Sequence, residues 1–206
     1  MPIDTQLILS AILEHVALTL TSVTLAVALG VPLGVYLARH RFLSGPALAI
    51  VGVIQTVPSP ALLGLMIPLF GIGKKPALVA LFAYALLPIV ASTFSALDSL
   101  DRAALEAARG MGMRPTQILT KVALPLGLPV VMRGIRVSTV INVGVATLGA
   151  LIGAGGLGTF IFRGIALVDT PTILTGAVPA AVLALLFDGG LALLERVLVP
   201  RGLRKQ

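Results

Sequence analysis

The chain contains no cysteine and no tryptophan, and charged residues make up only 11% of its 206 residues. Without cysteine, disulfides, thiol chemistry and cysteine-ligated metal sites are excluded. The two histidines, His15 and His40, cannot form a metal site alone, and we expect both at a membrane interface. Soluble domains carry about 25% charged residues, whereas this chain has 57% hydrophobic residues that water-soluble packing could not hide. The expected solvent is therefore a bilayer.

The sequence also lacks the patterns of nucleotide binding and catalysis. There is no G-x-x-x-x-G-K-[ST] sequence, so we expect no ATP binding through a P-loop. No Ser/His/Asp arrangement or pair of carboxylates within one span is apparent, so we expect no catalytic residue, metal or cofactor in this chain. The net charge of +7 comes without a basic patch that includes aromatic residues, which argues against a nucleic-acid partner. Residues 153–158 satisfy G-x-G-x-x-G, but they end an apolar run, and we interpret them as a tight turn at the outer mouth that serves either packing or a gate.

Five uncharged runs have about the 20 residues that a helix needs to cross a membrane. The second contains Pro58 and Pro60, but halves of about 13 residues would be too short to span separately, so we predict one broken helix. Because bare backbone cannot face lipid, the break faces protein or a water-filled path; a kink for packing alone is the alternative. The predicted fold is an all-α integral membrane protein with five transmembrane helices. The runs cover residues 17–38, 46–72, 76–97, 137–162 and 170–187.

The basic residues predict the orientation of these spans, because cytoplasmic loops collect Lys and Arg. If the 39–45 loop, the 98–136 stretch and the C-terminal tail face inwards, all but three of the 15 Lys and Arg residues lie inside. We therefore predict an outside N-terminus and an inside C-terminus. The transmembrane domain is predicted at residues 15–195, followed by a basic cytoplasmic tail at residues 196–206.

Polar residues within the spans are few. Asp188 lies towards the inner end of the fifth span, near Glu195 and Arg196 in sequence, and we interpret it as structurally paired. Asn142 in the fourth span could line a path or bond a neighbouring helix, and the sequence leaves both open. The break in the second span and this asparagine supply the candidate translocation path: Gln55, Pro58, Ser59 and Asn142.

The stretch between the third and fourth spans predicts two short helices held on the inner side. Residues 102–111 are rich in good helix formers, with Asp101 as the N-cap and two glycines to end the helix. Pro115 suits the first turn of a second helix at 116–122, which Pro125 is expected to stop. Such a hairpin could dock into a groove of a soluble partner or be an ordinary surface feature. Its candidate apolar face is formed by Ala107, Ala108, Met111, Ile118 and Leu119.

This hairpin resembles the EAA motif of binding-protein-dependent ABC importer permeases. Glu106-Ala107-Ala108 is followed by Gly112 and, after nine intervening residues, by Val122-Ala-Leu-Pro, where the family usually has Ile in place of Val122. The resemblance implies that the hairpin is a coupling helix that docks on a separate ATPase subunit. The positions that it assigns to coupling are Glu106, Ala107, Ala108, Gly112, Leu124 and Pro125.

Four further stretches resemble the glycine betaine, carnitine and choline branch of the same family. The resemblance implies a dimer of identical or similar permeases with the path between them, in a bacterial inner membrane. It also implies an extracytoplasmic solute-binding protein and ATPase subunits that bind ATP and Mg²⁺. An importer for an amino acid such as methionine, and a structural or channel-like membrane protein outside this family, are the alternatives. The four stretches are residues 54–59, 68–74, 84–88 and 150–158.

Overall fold

The computed structural model describes residues 5–199, and all regular secondary structure in that range is helical. Four helices are long and apolar enough to cross a membrane, and a bent pair makes five if it counts as one span. The all-α membrane fold is confirmed, while the orientation of the termini stays a prediction. Most of the predicted basic tail, residues 200–206, lies outside the described residues. The helices are α1 (Thr5–Arg39), α2 (Arg41–Thr56), α3 (Ser59–Phe70), α4 (Lys74–Asp98), α5 (Arg102–Gly110), α6 (Pro115–Ile118), α7 (Leu124–Leu148), α8 (Gly158–Leu167) and α9 (Thr170–Leu198), with a π-helical turn at Leu119–Ala123 and a 3₁₀ turn at Gly149–Ile152.

Helix α4 forms the centre of the bundle, with α1 and α7 as its main neighbours. A Cβ atom on Gly34 of α1 would lie 2.5 Å from Cβ of Thr93 and 2.9 Å from the carbonyl oxygen of Val90. On α7, a Cβ atom on Gly134 would lie 2.3 Å from Cβ of Ser92. These glycines let the helix backbones approach closely, as small residues do in membrane bundles.

His15, which was predicted at a membrane interface, is buried among the helices of this bundle. Its side chain has no exposed surface, and Nε2 lies 3.0 Å from the carbonyl oxygen of Val143 on α7. The first span was predicted at the uncharged run of residues 17–38, which follows Glu14. In the structure Glu14 is paired with Lys74 at 2.8 Å, and α1 extends past it to Thr5. His40 is exposed between α1 and α2.

Pro125 does not end a helix, contrary to the prediction. The helical segment Pro115–Ile152 is continuous through α6, the π-helical turn and α7. Proline lacks an N–H group and disturbs the bonding of the preceding turn. The π-helical turn absorbs this disturbance, since the N–H of Leu124 bonds to the carbonyl oxygen of Leu119, five residues earlier. The second arm of the hairpin is therefore the first part of a membrane helix.

The fourth span, predicted at residues 137–162, is also misplaced. The long helix ends with the 3₁₀ turn, and the glycine run 153–158 reverses the chain with positive φ angles at Gly153, Gly155 and Gly156. Helix α8 begins after this turn and packs mainly against α9. The tight turn that the glycines predicted is confirmed, but it interrupts the segment that was counted as one span.

Helix α9 lies at the edge of the bundle, where only 6% of its most apolar stretch is buried. Arg136 on α7 donates to both carboxylate oxygens of Asp188, at 2.9 and 2.8 Å, and to Glu195 at 3.3 Å. The structural pairing of Asp188 is confirmed, and its partner is Arg136 on another helix. Because the carboxylate is paired, the fifth span continues past residue 187 to Leu198.

Candidate functional site

The hairpin between α4 and α7 carries most of the residues that the sequence assigned to coupling. Asp101 caps α5, since its Oδ1 accepts a hydrogen bond from the backbone N–H two residues later at 2.9 Å. At the other end, the N–H of Gly112 donates to the carbonyl oxygen of Arg109 at 2.9 Å. The N–H of Met113 donates to the carbonyl oxygen of Ala108 at 3.2 Å. This pair of bonds is a Schellman motif, which ends the helix by local bonding.

Gly112 is required by the backbone conformation of that motif rather than by lack of space. Its φ angle is 77°, in the left-handed region where side chains are strained. A Cβ atom placed on it would have no neighbouring atom within 4 Å. The open space around Gly112 therefore leaves the turn accessible to a partner.

The other residues that the sequence assigned to coupling lie either on α5 or at the start of α7. Glu106 and Ala107 are exposed on α5, while Ala108 is buried against the hairpin itself. Leu124 and Pro125 are half-buried at the start of α7, where the hairpin joins the membrane helix. Helix α5 is therefore exposed at the surface of the bundle. The second half of the motif, at Leu124 and Pro125, joins the hairpin to the membrane helix α7.

The predicted apolar face is only partly exposed. Met111 at the tip has 75% of its surface exposed, whereas Ile118 and Leu119 are half-buried. An exposed methionine offers a flexible apolar side chain that adapts to a binding groove. Helix α5 makes its few contacts with the parts of the chain that follow it in the same hairpin. This arrangement is a projection with an exposed apolar tip.

The break in the second span lies between α2 and α3, which meet at an angle of 98°. Gln55 donates from Nε2 to the carbonyl oxygen of Tyr84 on α4, at 3.0 Å. That carbonyl has no helical partner because the residue four positions later is Pro88. The hydroxyl of Tyr84 in turn donates to the carbonyl oxygen of Val57 at the break. Two stretches that resemble the osmolyte branch therefore bond to each other.

The other predicted path residues occupy different surroundings. Pro58 is exposed and precedes α3, and Ser59 begins that helix half-buried. Asn142 is fully buried and donates from Nδ2 to Oγ of Ser22 on α1, at 3.1 Å. The sequence left open whether Asn142 lines a path or bonds a neighbouring helix. The hydrogen bond to Ser22 is a bond of the second kind. A path role for these four residues stays a prediction, and no hydrogen bond joins Asn142 to the break.

A polar contact at the opposite end of the bundle from the hairpin was not predicted. Glu14 pairs with Lys74 at 2.8 Å and accepts a hydrogen bond from the backbone N–H of Gly156 at 3.0 Å. It ties α1 to the start of α4 and to the glycine turn. No sequence signal indicates these partners, which lie 60 and 142 residues away. Within residues 5–199, no group of three or more His, Cys, Asp or Glu residues is placed to hold a metal ion.

A bundle of membrane helices with an exposed hairpin between two spans defines a multi-pass membrane subunit that presents one projection outside the bundle. Residues 30–201 match the family described as the binding-protein-dependent transport system inner membrane component. The chain belongs to this family and is a permease subunit of the inner membrane. The family resemblance found in the hairpin sequence is thereby confirmed.

Individual relatives cover almost the whole chain. The choline transport system permease protein OpuBB of Bacillus subtilis is 45% identical over 192 residues, which are 93% of this chain and 88% of OpuBB. The osmoprotectant import permease protein OsmW of Salmonella typhimurium is 46% identical over 196 residues, covering 93% and 91% of the two chains. An inward-facing structure of the MetNI methionine ABC transporter matches 95% of this chain and 97% of the compared chain. Its TM-score is 0.85 at 27% sequence identity.

Proposed function

We propose that this chain forms the translocation path of an ATP-driven importer for quaternary-amine osmoprotectants such as glycine betaine, choline and carnitine. A second permease subunit, identical or similar, completes the path. A separate ATPase binds ATP and Mg²⁺, and an extracytoplasmic binding protein delivers the solute. The substrate class is supported by the names of the relatives at 45 and 46% identity, OpuBB and OsmW.

The observation that carries the importer mechanism is the exposed hairpin. Its first helix is ended by its own backbone bonds at Gly112 and contacts little besides the rest of the hairpin. A projection of this kind fits the helix-in-groove mode of docking, in which a small apolar surface enters a groove of the partner. We therefore assign ATPase docking to Glu106, Ala107 and the turn that Gly112 makes possible.

The few contacts between aromatic rings favour a mechanism in which the binding protein, and not this chain, selects the solute. Quaternary ammonium groups are normally held by aromatic rings. In the described part of the chain, the one ring contact is between Tyr36 and His40, whose centroids are 4.3 Å apart. An importer of this composition needs only a weak and transient path, because the binding protein supplies the affinity.

Uptake of labelled glycine betaine and choline tests the proposal. The host is a bacterium without its own osmolyte importers that expresses this permease with its ATPase and binding protein. A parallel strain carries an ATPase that cannot hydrolyse ATP. We expect uptake of at least one solute in the first strain and none in the second.

Each other outcome contradicts a defined part of the proposal. Uptake of methionine without uptake of either quaternary amine would overturn the substrate class and favour an amino-acid importer. Uptake that persists with the inactive ATPase would overturn the energy source and favour a channel-like protein.

A further inference from the structure

We propose that a cleft between the hairpin and the ends of α1 and α4 binds the headgroup of an anionic phospholipid. The cleft has a volume of about 570 Å³, which is in the usual range of ligand pockets. We call it the hairpin cleft. The lining residues used below are Ala38, Arg39, Arg41, Leu97, Leu105 and Arg109.

The position of the hairpin cleft matches the boundary between hydrocarbon and headgroups. Ala38 is the last residue of the first uncharged run, and Arg39 follows it directly. Leu97 likewise ends the third run, and Asp98 follows. Charges that directly follow long apolar runs lie at the interface, because their desolvation inside the bilayer is costly. A lipid in the surrounding leaflet therefore has its phosphate at the level of this cleft.

The cleft carries a surplus of positive charge. Arg41 is paired with Asp98 at 2.7 Å. Within residues 5–199, neither Arg39 nor Arg109 forms an ion pair with a carboxylate. An adjoining cleft of about 330 Å³ adds one residue of each charge, Arg102 and Glu106, which leaves the surplus unchanged. Two guanidinium groups without partners thus remain to receive an anion.

The walls favour a lipid over a soluble anion. Besides its arginines, the cleft is lined by apolar side chains that include those of Ala38, Leu97 and Leu105. An amphiphile can bury apolar groups against such walls while its phosphate accepts hydrogen bonds from arginine. Basic pockets between membrane helices on the cytoplasmic side, the side predicted for this cleft, suit anionic headgroups.

A bound headgroup would connect parts of the chain that hardly touch each other. Arg39 belongs to the last turn of α1, whereas Arg109 belongs to the last turn of α5. Helix α5 makes its main contacts with α6 and the π-helical turn, and not with α1. A phosphate between the two arginines therefore steadies the hairpin in the position from which it docks.

The proposal is tested by lipid retention on the complete transporter, purified with its ATPase in detergent. Phosphatidylglycerol or phosphatidylcholine is added, and the bound lipid is quantified by mass spectrometry after gel filtration. We expect phosphatidylglycerol to be retained, and retention to weaken roughly fivefold for each of Arg39→Gln and Arg109→Gln. Arg133→Gln, an exposed arginine outside the cleft, is the matched control and should retain the lipid fully.

A second variant separates a built cleft from general attraction between charges. Ala38→Phe leaves every charge in place but fills the cleft, and we expect it to lose the lipid as well. Equal retention in all four variants, or equal retention of the two lipids, would overturn the proposal. Displacement of the lipid by an equal concentration of soluble glycerol phosphate would also overturn it, since the cleft would then take the phosphate alone. None of these readouts depends on the transported solute.

Discussion

The contact between α1 and α4 and the hairpin of α5 and α6 are stabilised in opposite ways. At the first, Gly34 lies so close to Thr93 and Val90 that no side chain fits. At the second, Gly112 has open space around it, and the turn depends on backbone bonds and one side-chain cap. Packing stabilises the membrane bundle, whereas local backbone conformation stabilises the hairpin. The hairpin can therefore change its partner contacts without loss of the bundle.

The largest effect is expected from Gly34→Ala. The new methyl group meets Thr93 and a backbone carbonyl of α4, and such overpacking costs about 1–3 kcal/mol. Thermal unfolding of the detergent-solubilised chain, followed by circular dichroism, measures the loss. Gly144→Ala on α7 is the matched control, because nothing lies within 4 Å of its Cβ position. An equal loss of stability in Gly34→Ala and Gly144→Ala would show that the close contact between α1 and α4 is not the cause of the loss.

A smaller effect, confined to the hairpin, is expected from Gly112→Ala. The left-handed conformation costs an L-residue about 1–2 kcal/mol, so the end of α5 should fray while the unfolding temperature of the bundle stays unchanged. Hydrogen exchange of the amides of residues 102–113 measures the fraying, and solute-stimulated ATP hydrolysis by the complete transporter measures the coupling. We expect faster amide exchange in residues 102–113 and weaker stimulation of ATP hydrolysis by the solute.

Gly110→Ala is the control for this substitution. Gly110 also has open space around its Cβ position, but it lies within α5, where alanine favours the helix. We expect slower exchange and unimpaired coupling. If the two variants behaved alike, the φ angle of Gly112 would not be the reason for its place in the motif.

The smallest effect is expected from Asp101→Ala. The substitution removes the one side-chain cap of α5, which is worth about 1 kcal/mol. Faster amide exchange in the first turn of α5 should result, and Asp101→Asn should retain the cap and the slow exchange. Fast exchange in both variants would mean that the carboxylate charge, rather than the hydrogen bond, stabilises the turn.

Features that depend on neighbouring residues along the chain could be predicted from the sequence. The apolar runs predicted membrane helices although not all of their bounds, Asp101 predicted a cap, and the glycines at 153–158 predicted a turn. Each follows from local conformational preference or from the length needed to cross a bilayer. The hairpin between α4 and α7 was predicted in the same way, since its capping residues and its motif lie within one short stretch.

Features that depend on contacts between distant residues could not be predicted. Asp188 was interpreted as structurally paired, but the sequence did not indicate its partner, the guanidinium of Arg136, 52 residues earlier. The end predicted at Pro125 failed because a π-helical turn absorbs the proline, and hydrophobicity does not reveal such a turn. The sequence placed Gln55 at the break. It did not indicate its acceptor, the carbonyl oxygen of Tyr84, because that contact depends on the packing of α2 against α4.

The helical segment Pro115–Ile152 runs without interruption from the hairpin to the glycine turn. Its 38 residues form a rod about 57 Å long, with the hairpin at one end and the glycine turn at the other. A tilt of roughly 5° about the midpoint moves each end by about 2.5 Å in opposite directions. If the segment tilts as one body, the hairpin and the turn where Gly156 meets Glu14 move in opposite directions. That displacement is comparable to the length of the hydrogen bond it would have to break.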